Sequence, residues 1–408
     1  MTTGIAGPPT PGALLLRGVR PWGGAPTDVL AERGRIAALG PGLPAPAGAA
    51  VEECGGALAF PGLVEAHTHL DKTLWGMPWY RNEVGPRLTD RIDNERRMRP
   101  VLDIDPARQS ARQVAQSVRM GSTHIRSHVD VDTEVGLAGI EGVMATRERC
   151  RDLCDIEIVA FPQSGLLARP GTLDLLEAAL RMGADAVGGL DPCGIDADPK
   201  GHLDAVFGLA ERFGRPLDIH LHEPGELGAF SMRLILERTR ALGMRGRVVV
   251  SHAFCLGAPD PGTVRPLLEE IAELRVGIMT TGSASRPVPP VLALAEMGVV
   301  TCSGSDGIRD TWGPYGNADM LERAMLLGLR NDLRRDDELE LALRICTHGG
   351  AAAMALPDYG LEVGCAADLV VVDAETVAEA VAARPPRRLV VKRGRVVARG
   401  GMAIADPP

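Results

Sequence analysis

Hydrophobic positions along this chain change rhythm twice. From Ala13 to about residue 59 the apolar runs are short and alternating, and they predict strands over Ala13–Val19, Asp28–Ala31 and Arg35–Leu39, the last two joined through Arg33 and Gly34 as a hairpin. The same rhythm returns at the far end, where a strand over Ala367–Asp373 precedes a hairpin of Arg388–Lys392 and Arg395–Ala398 around Gly394. A shared Gly-Arg-Ile/Val step, at 34–36 and 394–396, marks both hairpins. The two ends are therefore expected to meet in one small β-sandwich domain, residues 13–59 plus 357–408, with residues 60–356 inserted between them.

Within 60–356 apolar β-rich runs alternate with helix-like segments. The runs are Leu63–Ala66, Ile125–Val131, Asp155–Phe161, Ala186–Leu190, Leu217–His220, Val248–His252, Val276–Thr280 and Val299–Ser303. Between them lie segments such as Pro106–Met120, Thr172–Arg181, Leu203–Phe213 and Ser231–Leu242, several followed by a glycine (Gly121, Gly183, Gly214, Gly243) suited to a left-handed helix cap. Alternation of this kind predicts a parallel sheet, and eight runs fit an α/β fold of the (β/α)8, TIM-like barrel type. Leu74–Arg99 has no clear period and is expected to be a structureless lid or binding loop at the barrel mouth.

Composition narrows the function classes. The chain has 408 residues and a formal net charge of -9, enough length for a barrel plus a small domain and no basic surplus for nucleic acid. No apolar run approaches the roughly 20 residues of a membrane span. Residues 1–12 lack a basic start and an apolar core, and are expected to be a disordered lead-in rather than a signal peptide. The eight cysteines are scattered without a Cys-x-x-Cys spacing, so they are expected to be free thiols in a cytoplasmic protein.

Candidate chemistry sits at strand ends. Leu63–Ala66 runs into His67-Thr-His69; side chains two apart on a strand share a face, so both imidazoles can aim at one point over the barrel mouth. Strand five ends in Asp218-Ile-His220 followed by His222 and Glu223, strand six in Ser251-His252, and strand eight in Ser303-Gly-Ser-Asp306. Taken singly, each has an ordinary structural explanation. Gathered at the same ends of one parallel barrel they predict a divalent-metal site.

These residues, together with longer strings, resemble the amidohydrolase superfamily over about residues 13–400. Within it the chain looks like the cytosine deaminase group, through Thr123 to Val131, the Phe161-Pro-Gln163 stretch, Glu223 after His220, and Trp312 six residues after Asp306. It also resembles the branch containing N-isopropylammelide isopropylaminohydrolase, through Asp71-Lys72, Gln163 to Gly165, Val187 to Pro192, Ile308 to Trp312 and Gly316 to Met320. The resemblance implies one divalent ion per chain, zinc by default and iron as the alternative, held by His67, His69, His220 and Asp306. No Lys stands at the end of strand four to bridge a second ion. It implies Glu223 as proton shuttle, His252 and Asp306 as further catalytic groups, and Gln163, Trp312 and Lys72 as substrate contacts. The expected partners are a small heterocyclic substrate and water, with neither nucleic acid nor membrane, and a homo-oligomer is compatible with the fold. The expected reaction is hydrolytic deamination of a cytosine-like pyrimidine or aminotriazine. Release of an alkylamine from an ammelide-like ring is one alternative, and a non-catalytic ligand-binding protein is another. Cytosine deaminases of the familiar type carry two consecutive Asp residues here; Gly307 after Asp306 is expected to open space for a larger ring.

Overall fold

The computed structural model describes residues 12–258 and 260–404, so all of the expected lead-in but Gly12 lies outside the described residues. Five strands open the chain: β1 (Leu14–Pro21), β2 (Thr27–Glu32), β3 (Arg35–Gly40), β4 (Ala50–Glu53) and β5 (Leu58–Pro61). Eight follow through the middle: β6 (Leu63–Thr68), β7 (Ser122–Asp130), β8 (Asp155–Phe161), β9 (Ala186–Leu190), β10 (Leu217–His220), β11 (Val248–Ser251), β12 (Gly277–Met279) and β13 (Thr301–Cys302). The chain ends with β14 (Leu369–Val372), β15 (Arg387–Lys392), β16 (Arg395–Arg399) and β17 (Met402–Ala403).

β6 to β13 pair in chain order, all parallel, as the strand–helix alternation predicted. Runs such as Val248–Val250 are apolar on both faces because helices cover one side and the barrel interior the other. Ala66 N–H donates to Ser303 O (3.1 Å) and Asp306 N–H to His67 O (2.9 Å), which brings β13 back against β6. That seam needs Gly304: a Cβ there would stand 2.3 Å from His67 O.

Helices Pro106–Arg119, Thr172–Met182, Pro199–Phe213 and Gly225–Ala241 lie where the periodicity placed them, the last two starting a few residues early. Gly183 and Gly214 take up the expected left-handed caps. The stretch 74–99 departs from expectation, because Leu88–Val101 is a helix. Its sequence is charged on every side, so no apolar stripe announces it, and ion pairs from Glu95 and Arg99 hold it down instead.

Both chain ends share the other sheet, ordered β17-β16-β15-β14-β5-β1-β2-β3 with β4 also on β1. β14 pairs antiparallel with β5, so the C-terminal strands join directly to the N-terminal ones. β1 passes from pairing with β2 along Leu14–Val19 to pairing with β5 at Arg20 and Pro21. The halves on either side of that transition bury one core, in which Leu16, Val29 and Ile36 meet Leu369, Val371 and Val391. All eight cysteines are free.

Candidate active site at the barrel mouth

His67 and His69 project from the end of β6, His220 from β10, and His252 and Asp306 from the residues that follow β11 and β13. The imidazoles of His67 and His220 lie 4.6 Å apart between ring centres, those of His220 and His252 5.0 Å, and those of His69 and His220 5.7 Å. Asp306 Oδ1 is 3.2 Å from His69 Nε2 and 3.7 Å from His67 Nε2; Oδ2 is 4.0 Å from His252 Nε2. Asp191, His252 and Asp306, each just past a barrel strand, have φ of 34°, 70° and 61°. Left-handed backbone at three non-glycine positions is local strain concentrated around one point.

The donor set fits a divalent ion. His67 Nε2, both nitrogens of His220 and His252 Nε2 are buried without a hydrogen-bond partner. Orphaned buried nitrogens facing a carboxylate are costly unless something binds them. Burial, with neighbouring imidazoles adding to it, keeps His220 and His252 well below the ordinary histidine range, so both are neutral. Burial alone would raise Asp306, but His67, His69 and His252 outweigh it and hold the carboxyl well below its usual range. His67, His252 and Asp306 offer atoms close enough to share an ion, as do His67, His128 and His220.

Below the ligands a polar chain fixes a tautomer. Ser251 Oγ donates to Asp218 Oδ1 at 2.6 Å. Having only one proton, the hydroxyl must accept from His67 Nδ1, 3.0 Å away. His67 therefore carries its proton on Nδ1 and turns a lone pair on Nε2 toward Asp306. Arg126 Nη1 donates to Asp218 Oδ2 (3.0 Å), and His128 Nε2 lies 3.3 Å from Oδ1. His128 is thus buried between His67 and Asp218, and burial pushes it down to about 3.

Glu223 is clamped. Its Oε1 accepts from Cys193 N–H (2.8 Å) and Gly194 N–H (2.7 Å), and its Oε2 from Ser231 Oγ. Burial raises its pKa, against those hydrogen bonds. His222, whose role the sequence left open, is held by Asp191 through its N–H (2.6 Å) and its Nδ1 (2.8 Å), and stacks on His252 at 4.3 Å. Burial lowers His222, but Asp191 outweighs it and leaves the imidazole above its ordinary range. Glu223, His222, His252, Asp306 and Trp312 all line one cavity of about 480 Å³.

Gln163 and Lys72 lie beside that cavity, Lys72 Nζ 5.5 Å from the centre of the Trp312 ring. Neither lines that cavity; Lys72 Nζ donates to Gln163 Oε1 (2.5 Å), to Asp130 (3.1 Å) and to Glu95 (3.3 Å) within a buried network. Arg99 joins it through Asp71 and Asp130, and Trp312 Nε1 through Glu95 Oε2 (2.5 Å). Lys72 is only 3% exposed, so its charge is met by these partners and not by solvent.

Gly307 does not open space. A Cβ there would stand 2.0 Å from Asp310 Oδ2, so a carboxyl folded back from three residues later fills the volume. Asp310 Oδ1 accepts from Trp312 N–H (2.8 Å) and Gly313 N–H (3.0 Å), and burial raises its pKa to about 6. The Asp191–His222 contact, the Asp218–Ser251 link and Asp310 were not singled out from sequence. For Asp218 a signal existed: it precedes His220 by two on a strand and so shares its face.

Comparisons with known proteins agree with this geometry. The amidohydrolase family model matches residues 50–398. N-isopropylammelide isopropyl amidohydrolase of Pseudomonas sp. (strain ADP) is 32% identical over 364 residues, covering 86% of this chain and 88% of the relative. The crystal structure of N-isopropylammelide isopropylaminohydrolase from Burkholderia multivorans ATCC 17616 superposes with a TM-score of 0.94 at 54% identity, covering 97% of this chain and 100% of the other. A 5-methylcytosine deaminase from Klebsiella pneumoniae, liganded with 5-fluorocytosine, gives a TM-score of 0.83 at 28% identity, covering 94% and 97%. With deaminase and aminohydrolase relatives along nearly its whole length, the chain belongs to the amidohydrolase family and is a hydrolase of C–N bonds.

Proposed function

We propose that this enzyme hydrolyses the bond between a small nitrogen heterocycle and its exocyclic amino group, with one divalent ion held by His67, His69, His220 and Asp306. Zinc is the expected ion and iron the alternative, since imidazole and carboxylate suit both. Such an ion supplies Lewis acidity and makes water a nucleophile near neutral pH.

The chain's own residues do the rest. Glu223 carries a proton from the attacking water to a ring nitrogen, and its raised pKa brings it nearer the working pH. Three hydrogen bonds fix its carboxylate and leave one lone pair, on Oε2, without a donor. His252, neutral and with Nε2 unpartnered, donates a hydrogen bond to the oxygen on which negative charge develops. Asp306 orients the water beside the ring.

The observation that carries this reading is the convergence of clamped Glu223, neutral His252 and Asp306 on one cavity. Leu88, Ile195, Leu227, Phe254 and Trp312 give that cavity an apolar wall. Such a wall, with 54% identity to an isopropylaminohydrolase, favours an alkylamine over ammonia as the leaving group. The test is product analysis with cytosine, 5-methylcytosine, ammeline and N-isopropylammelide, with ammonia and amine measured separately. Glu223→Gln is expected to lower kcat by about 10²–10⁴ while keeping its metal. Full turnover by that variant would remove Glu223 as the shuttle, and no product from any ring would remove the substrate class.

A further inference from the structure

We propose that the substrate carries a carboxylate, received at the cavity rim by Arg91 and Arg286; this rests on the reading that a small nitrogen heterocycle occupies the cavity. Both arginines line it, Arg91 from the helix Leu88–Val101 and Arg286 from the segment after β12. Neither guanidinium has an ion pair or hydrogen bond among the described residues.

The acids nearby are already committed. Asp191 holds His222, Glu223 is clamped by Ser231 and two backbone N–H groups, and Asp306 faces His67 and His69. Neighbouring arginines are committed too: Arg96 pairs with Asp132 and Glu134, and Arg99 with Asp71 and Asp130. Two cations left without partners line a cavity in a chain whose net charge is -9.

Both are presented from braced elements. Arg323 donates to Thr281 O (2.7 Å), and Arg330 to Ser283 O and Arg286 O (2.9 Å each), so the segment bearing Arg286 is tied to the helix Met320–Arg330. Leu88, Arg91, Glu95 and Arg99 recur at helical spacing, and the network grips Glu95 and Arg99. Arg91 is thereby turned to the cavity.

A planar guanidinium matches a carboxylate bidentately; Arg91 is half-buried and Arg286 exposed, so the pair forms at the solvent edge of the cavity. The apolar wall takes the ring, the metal centre its amino-bearing carbon, and the rim a carboxylate on the ring or on the departing amine. A cavity of about 480 Å³ holds a six-membered ring with one short substituent.

Two matched pairs of probes test this: 5-carboxycytosine against 5-methylcytosine, and N-(carboxymethyl)ammelide against N-isopropylammelide. Dissociation constants are measured by titration of metal-loaded Glu223→Gln protein, which separates binding from turnover. In at least one pair the carboxylate form is expected to bind about tenfold tighter or better, and added salt is expected to shrink the difference. Adding R91Q and R286Q together should bring the ratio to about one, while R286K should keep part of it. Equal binding within both pairs, or a preference that survives R91Q/R286Q, overturns the proposal. If wild type turns over the neutral rings and the carboxylate adds nothing, only the anion site falls. If no ring binds at all, the heterocycle reading falls with it.

Discussion

At the scale of single residues, the site depends on side chains that never reach a substrate. Ser251 is one. Its hydroxyl links Asp218 to His67 and so decides which nitrogen of His67 bears the proton. Ser251→Ala leaves Nδ1–H without an acceptor and removes that bias, while the small change of volume spares the strand. Metal affinity is expected to fall about 10–100-fold, the range for losing a partner of a ligating histidine. Competition titration with a chelator checks it; unchanged affinity would mean that Ser251 merely fills space. The proposed ligands were legible in sequence because histidine and aspartate recurred at strand ends in barrel order. Ser251 and Asp218 stood in the same strings, but a hydrogen bond between adjacent strands β10 and β11 has no sequence spacing of its own. Gly307 illustrates the opposite error. A missing side chain reads as open space, and only the fold reveals that Asp310 has moved into it.

At the scale of elements, strands and amphipathic helices were legible because burial imposes a period, 2 for strands and 3.6 for helices. The helix Leu88–Val101 has no such period, since its contacts with the barrel are ionic. Glu95 and Arg99 reach Lys72, Asp71 and Asp130, and Trp312 ties Glu95 to the loop after β13. Burial opposes the charges here, but the neighbouring acids outweigh it and keep Lys72 and Arg99 firmly protonated, while burial pushes Asp130 well above the usual carboxylate range. Arg99→Met is therefore expected to leave Asp71 and Asp130 short of countercharge and to loosen the helix without unfolding the barrel. Hydrogen exchange should rise selectively over 88–101, and KM should rise more than kcat falls, because Leu88 and Arg91 would no longer frame the cavity. Exchange spread evenly over the barrel would contradict this role.

At the scale of the whole molecule, the sheet made by the chain ends is bolted to the barrel's lower end by a buried lysine. Lys392, on β15, is 1% exposed. Its ammonium donates to Asp368 (2.6 Å), to Asp155 at the start of β8 (2.8 Å) and to Thr123 O on β7 (3.1 Å). Arg387 adds a second tie, to Met120 O at 2.9 Å and to Asp319. His124, Asp155 and Asp368 could be mistaken for a metal triad, but the lysine already stands among them as the cation. Truncating it strands Asp368, itself 3% exposed, beside a second carboxylate. Breaking a buried pair by removing one partner costs about 3–5 kcal/mol, whereas removing both charges costs far less. Lys392→Met is accordingly expected to lower unfolding stability by about 3 kcal/mol or more in urea titrations. Adding Asp368→Asn should restore part of that loss, because the amide no longer needs a countercharge. Metal affinity at the opposite end of the barrel should stay as in wild type in both variants. If the double variant is no better than Lys392→Met, the charge is not what joins the domains. The apolar contact of Leu63 and Val370 around Gly121 would then be the dominant tie.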